Sequence, residues 1–172
     1  MTKKRPYTLW LLGPTSSGKT TIANQLVQTL SKKKDLKVLH YDGDEVRRFF
    51  GKNYGFTETN RGQVVETLAH LATKANNAGI NVIASALTAH QSARDYINLT
   101  IPNLLVGYIS CPINVCAERD PKGLYKKARN GEINTLIGYN SEYIIPKNPD
   151  ITIDTSCLSM DESVQTLINF LD

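Results

Sequence analysis

Gly13-Pro-Thr-Ser-Ser-Gly-Lys-Thr20 is the stretch on which the fold turns. Its spacing is G-x-x-x-x-G-K-[ST], a pattern whose meaning depends on what flanks it. Ahead of it, Thr8–Leu12 reads as a β-strand, and behind it Lys19–Leu30 carries Ile22, Leu26, Val27 and Leu30 at helical spacing. A strand leading in and an amphipathic helix leading out is what a phosphate cradle needs. The glycines let successive backbone N–H groups curl round an anion, and the helix N-terminus adds partial positive charge. In that arrangement Lys19 reaches the β- and γ-phosphates of ATP, and the Thr20 hydroxyl faces Mg²⁺.

Working outward, short β-branched or apolar runs alternate with helical stretches, the signature of a parallel α/β sheet. Strands are expected at Thr8–Leu12, 37–41, 81–86, Leu104–Ser110 and 151–153. A long helix is expected over about 61–77, with Val64, Val65, Leu68, Leu71 and Ala72 facing inward and Gly79 closing it. Shorter helices are expected at 92–98 and after Pro112, and Met160–Leu171 opens on acidic Asp161 and Glu162. The predicted architecture is one P-loop domain over residues 1–172, a three-layer α/β sandwich with a five-stranded parallel sheet. Residues 120–148 are polar, rich in Lys, Gly and Asn, and read as a mobile lid.

The chain has 172 residues, 41% hydrophobic and 21% charged, a composition suited to a globular protein with its own core. No apolar run approaches the ~20 residues of a membrane span, so no membrane partner is expected and a cytoplasmic location is predicted. The formal charge is only +4. Basic residues gather at Lys32-Lys33-Lys34 and between Lys122 and Arg129, without a nucleic-acid reading motif, so nucleic acid is not an expected partner. A small anionic ligand explains the second cluster, and a solvated helix end explains the first. Cys111, Cys116 and Cys157 lack zinc spacing and read as reduced, semi-buried thiols.

A phosphate loop alone does not name a reaction. The chain is too short for a motor, lacks an Asn-Lys-x-Asp guanine signature, and carries a basic late segment suited to covering phosphates and excluding water. These features favour a small-substrate kinase. Asp42-Gly-Asp44 follows the second strand at its C-terminal end, where doubly wound sheets bind ligands. A carboxylate there accepts the proton of an attacking hydroxyl or holds a Mg²⁺-bound water. Asp42 reads equally as a helix cap or a functional group, whereas Asp44, with Arg47 one turn on, reads as functional. Arg47 and Arg61 offer fork-shaped donors to an anionic acceptor.

At this point the chain resembles the adenylyl-sulfate (APS) kinase family across nearly its full length. The most specific stretch is Arg119-Asp-Pro-Lys-Gly-Leu-Tyr-Lys-Lys-Ala-Arg-Asn-Gly-Glu-Ile133, similar to that family's lid. Asp42-Gly-Asp-Glu-Val-Arg47, Gly55-Phe-Thr57, Val82-Ile-Ala-Ser85, Asn148-Pro-Asp150 and Ile153-Asp-Thr155 support it. The resemblance implies a nucleotide-kinase-like fold and ATP- and Mg²⁺-dependent phosphorylation of a nucleotide's ribose 3′-hydroxyl. It implies Ser16, Ser17, Gly18, Lys19, Thr20 and Thr21 as the ATP-phosphate cradle, and Arg119 as a cation over the ATP base. Asp44 resembles the acceptor-side carboxylate, Arg47 and Arg61 its arginine ligands, and Phe56 the aromatic beside the acceptor base. Leu87, Thr88, Lys122 and Leu136 fall at further acceptor-side positions. Relatives are commonly dimers, so a homodimer is an expectation of the resemblance.

The departures lie on one side. Asn60-Arg61 stands for the family's Asp-Arg, and Val64 for an Asn three positions on. The arginine pair usual after it is missing from Val65-Glu66-Thr67, and Thr88-Ala-His-Gln91 replaces Ser-Pro-Tyr-Arg. Leu136 replaces an aromatic in the Gly-Phe-Thr-Gly stretch. Losing a donor matched to a substrate group can shift specificity by ~10⁴. Two acceptors therefore stay open: adenylyl sulfate, and a different nucleotide such as the cytidine diphosphoramidate of related kinases. A non-catalytic nucleotide-binding regulator is the competing class, against which Lys19, Thr20, Asp44 and the lid all speak. His40 and His70 read as structural, His90 as a surface residue near the site before a general base, and Tyr125, Tyr139 and Tyr143 as pins of the long loop to the core before a border of the nucleotide site.

Overall fold

Alternate side chains of the first strand enter different cores, and this sets the layers of the molecule. The computed structural model describes residues 5–32, 36–51 and 55–172. In β1 (Thr8–Leu12), Trp10 and Leu12 pack into one apolar cluster and Leu9 and Leu11 into another. A strand buried on both faces is the mark of a parallel sheet covered by helices. Its neighbours are β2 (Val38–Asp42), β3 (Asn81–Ser85), β4 (Leu104–Ser110) and β5 (Ile151–Asp154), in spatial order β2-β3-β1-β4-β5 with every pairing parallel.

The Leu9 face is covered by α1 (Lys19–Leu30) and α7 (Met160–Leu171), through Ile22, Leu26, Val164 and Leu167. On the Trp10 face lie α2 (Gly43–Phe50), α3 (Glu58–Asn77) and α4 (Gln91–Thr100), through Val46, Leu68 and Ile97. Two short helices, α5 (Ile113–Arg119) and α6 (Leu124–Arg129), lead into and through the lid segment. There Cys111, Cys116, Tyr125, Ala128 and Leu136 bury one another in a third, smaller cluster. The three-layer α/β sandwich with five parallel strands is thus present.

Boundaries moved where capping chemistry decided them. The long helix starts at Glu58, not near Arg61, because the Thr57 side chain accepts from Asn60 N at 3.2 Å and caps it. The second strand is Val38–Asp42, one residue later than expected, and β3 stops at Ser85. Leu71 is half-buried, while Ala69 and Ala75 join the buried stripe. Gly79 follows the Ala78 cap at φ +81, as its closing role requires. Cys111 and Cys116 are buried but Cys157 is exposed, which corrects its reading as a semi-buried thiol. It sits in the turn after β5, where Asp154 holds the backbone and Ser156. Lys33 and Lys34 of the first basic cluster lie outside the described residues.

Candidate active site

The phosphate loop leaves the C-terminal end of β1 and is shaped by its glycines. A Cβ on Gly13 would stand 2.3 Å from the Ile109 carbonyl oxygen, and Gly18 has φ +97, so both places demand glycine. Ser16 is held at φ +64, and its buried Oγ has no protein partner. An orphaned hydroxyl in a strained turn is what a cradle awaiting an oxyanion shows. Lys19 Nζ folds back to donate to the Pro14 carbonyl at 2.6 Å. Burial, and secondarily Lys122, lowers its pKa to about 8 against the opposing pull of Asp44. Ser17 lies beneath the loop, fully buried, and its carbonyl accepts from Thr155 Oγ1 at 2.9 Å. Thr155, just past β5, thereby underpins the cradle.

Asp42 is both cap and site residue. Its Oδ1 accepts from Asp44 N at 2.8 Å and Glu45 N at 3.3 Å, which starts α2. Its Oδ2 accepts from Thr20 Oγ1 at 2.7 Å and Ser85 Oγ at 2.6 Å. Burial alone would raise this carboxyl, but the bonds from Ser85, Thr20 and Asp44 hold it below its ordinary value. Because the single Thr20 proton is committed to Asp42, the hydroxyl's lone pairs are left for a cation. Oxygen donors of this kind suit Mg²⁺. Among the described residues no three His, Cys, Asp or Glu side chains converge as a metal cage. A Mg²⁺ held here would therefore draw most of its ligands from phosphates and water.

One continuous cavity of about 780 Å³ joins this loop to the far side of the site. The cradle side presents Ser16, Gly18, Lys19, Thr20 and Thr21, with Arg119 and Thr155 beside Leu158. Arg119 Nη1 donates to Thr155 Oγ1 at 3.1 Å, which holds the guanidinium at the mouth of the cradle. Of the expected cradle residues, only Ser17 does not line the cavity.

On the other side, Asp44 stands in the first turn of α2 and is paired with Lys122 of the lid. The Arg47 and Arg61 guanidinium carbons lie 4.5 Å and 5.3 Å from the centre of the Phe56 ring. Arg61 also donates to the carbonyls of Phe56 at 2.9 Å and Thr135 at 2.8 Å. Burial, then Arg47 beside it, lowers the Arg61 pKa to about 10. Leu87, Thr88 and Leu136 complete the expected set, and Val64, Ala89 and His90 join the wall. Thr88 is held at φ +41 by Trp10 Nε1, which donates to its Oγ1 at 2.9 Å, and by Arg94 Nε, which donates to its carbonyl at 3.0 Å. His90 Nδ1 lies 3.7 Å from Glu58 Oε1.

The lid spans both sides. Tyr125 of α6 donates to the Thr15 carbonyl of the phosphate loop at 3.1 Å. Tyr143 donates to the Leu87 carbonyl at 3.4 Å, and Arg94 reaches the Ile144 carbonyl. Tyr125 and Tyr143 pin the segment as expected, whereas Tyr139 is exposed. The reading of the residues assigned no part to Thr155, Arg94 or Ser85. Ser85 enters there only as the end of the Val82–Ser85 stretch, and its bond to Asp42, like that of Arg94 to Ile144, joins residues far apart in the chain.

The model of the adenylylsulphate kinase family matches residues 5–154. The chain belongs to that family. The adenylyl-sulfate kinase of Oceanobacillus iheyensis is 36% identical over 95% of this chain and 82% of its own length. That of Rippkaea orientalis is 39% identical, over 94% and 89%. Among solved structures, the Mycobacterium tuberculosis APS kinase CysC in complex with AMPPNP and APS superposes with TM-score 0.90. It is 32% identical, covering 97% of this chain and 98% of that one. No helix among the described residues is long and apolar enough to cross a membrane.

Proposed function

We propose that this chain is an ATP-dependent kinase that transfers the γ-phosphoryl group to the ribose 3′-hydroxyl of a small nucleotide. By kinship that acceptor is adenylyl sulfate, giving the 3′-phosphorylated product. The observation that carries the reading is the single cavity in which the Ser16–Lys19 cradle and the Asp44 carboxylate face one space under the lid. The complex of the Mycobacterium tuberculosis relative, with an ATP analogue and APS bound together, supports two ligands in such a space.

In this mechanism the backbone N–H groups of the loop and Lys19 hold the β- and γ-phosphates and offset charge as the group leaves. Thr20 would offer its hydroxyl oxygen to Mg²⁺, which when bound would supply charge neutralisation for the phosphates. Asp44 orients or deprotonates the attacking hydroxyl once the acceptor displaces Lys122 from it. Lys122 is then free to meet the acceptor's anionic end beside Arg47 and Arg61. Closing the lid through Tyr125 and Arg61 excludes water, so the phosphoryl group reaches the acceptor and not solvent. Self-association as a homodimer is part of the proposal by kinship and is read by sedimentation.

A second acceptor is favoured by one specific observation. Val64 lines the cavity with an apolar side chain where the family usually carries an Asn, so a donor to a base or phosphate is replaced by a surface that only packs. The same 3′-phosphorylation of a different nucleotide, such as cytidine diphosphoramidate, is the second reading that the loss of this donor leaves open. An ATP-consumption assay with adenylyl sulfate against cytidine diphosphoramidate decides between them. Turnover with either supports the kinase, and tight ATP binding with no turnover on any nucleotide would make the chain a regulator.

A further inference from the structure

Behind the phosphate loop, side chains from three elements are joined end to end. On β2, His40 and Asp42 are two residues apart and so point to the same face of the sheet. Ser85 of β3 stands opposite Asp42 in the parallel register. From α1, Thr20 and Asn24 come down on this face one turn apart. The distances form a chain. The Asn24 amide oxygen is 2.9 Å from His40 Nδ1, and His40 Nε2 is 2.8 Å from Ser85 Oγ. Ser85 Oγ is 2.6 Å from Asp42 Oδ2, and Thr20 Oγ1 is 2.7 Å from that same oxygen.

Donor and acceptor counting fixes the direction of the central links. An ionised Asp42 only accepts, so the single Ser85 proton goes to it. Ser85 Oγ must then accept from His40, which makes Nε2 the protonated nitrogen; Nδ1 of the neutral ring then only accepts, so the Asn24 side chain must turn its amide NH₂ to it. On the other flank of Oδ2 the Thr20 proton is likewise committed. The plane of the Asp42 carboxylate is therefore held on one side by the helix cap and on the other by two hydroxyls, one of them backed by an imidazole. That plane sets the direction in which the Thr20 lone pairs point.

We propose that His40 and Ser85 are positioning residues for the metal–nucleotide complex, acting through Asp42 to aim the Thr20 oxygen at the cation. This rests on the reading of the cradle as an ATP·Mg²⁺ site, and it assigns a function to a histidine that the sequence offers only as strand packing. Outer partners of this kind tune metal affinity by about 10–100-fold when removed.

The test is ADP binding by calorimetry, in EDTA and across a Mg²⁺ series, for wild type, Ser85→Ala, His40→Leu and His40→Gln. Ser85→Ala is expected to raise the Mg²⁺ concentration at half-saturation about tenfold, and His40→Leu several-fold. ADP affinity in EDTA should stay within about twofold of wild type. Gln keeps an N–H for Ser85, so His40→Gln should recover most of the loss. Equal weakening in EDTA and in Mg²⁺ would mean that the chain only braces α1 against the sheet, and would overturn the proposal. An unchanged Mg²⁺ requirement in both Ser85→Ala and His40→Leu would overturn it too, while leaving the kinase reading intact. Wild type that bound no ADP under either condition would remove the kinase reading and this inference together.

Discussion

The two sides of the cavity are built on different principles. On the proposed ATP side the backbone sets the shape: Gly13 and Gly18 turn the loop, Ser16 is strained, and Thr155 supports it from below. On the acceptor side the work falls to side chains, with Asp44 paired to Lys122 and Phe56 flanked by Arg47 and Arg61. A backbone cradle tolerates few changes, because each glycine sits where a Cβ collides or strains. A side-chain wall can be rewritten one residue at a time without disturbing the sheet. That is where Val64, Glu66 and His90 depart from the family.

Mutations can break this contrast, the largest effect coming from the cradle. Lys19→Ala should abolish turnover with every acceptor, since no other side chain of the loop brings a charge to the γ-phosphate. Steady-state assays at saturating ATP and acceptor would read this. Next, Asp44→Asn should lower kcat by ~10²-fold with ATP affinity nearly unchanged. A folded Asp44→Asn enzyme with near wild-type kcat would remove that residue from its role. Third, Val64→Asn, restoring a donor to the rewritten wall, should raise kcat/KM for adenylyl sulfate relative to a cytidine acceptor by about tenfold. An unchanged ratio would place acceptor choice elsewhere in the wall.

The smallest effect is in pH. Lys19 loses its proton at about 8 in the folded chain against 10.5 ordinarily, so ATP affinity should weaken as pH rises through 8. Unfolding returns Lys19 to its ordinary value, so between about 8 and 10.5 the unfolded chain binds more protons and stability rises with pH. The cost of burying the charge is fully present below 8. Lys19→Met should therefore melt above wild type at pH 7, with the gap closing toward pH 10.5. Melting curves at both pH values would check this.

Much of the fold was legible because its signals are local. Thr8–Leu12, Lys19–Leu30, Leu104–Ser110 and Met160–Leu171 fall where apolar spacing and flanking breakers place them. The start of α3 was missed because a Thr57 cap carries less signal than the apolar stripe that follows it. The cradle was legible from its spacing, and the acceptor wall from resemblance. What could not be read were roles made by long-range contact. The Ser85 hydroxyl meets Asp42 across 43 residues, Thr155 meets Ser17 across 138, and Arg94 meets Ile144 across 50. Even Asp42 was legible only as an alternative between cap and site, whereas its two oxygens serve both.

The central claim is that a phosphoryl group crosses this one cavity from the cradle to a hydroxyl facing Asp44. Its most direct test is to follow γ-labelled ATP incubated with the enzyme, Mg²⁺ and each candidate nucleotide, locating the label by ³¹P NMR. We predict a new ribose 3′-phosphate on adenylyl sulfate or on the cytidine acceptor, lost in Lys19→Ala. Label that stayed on ATP, or appeared only as inorganic phosphate whatever nucleotide was present, would contradict it.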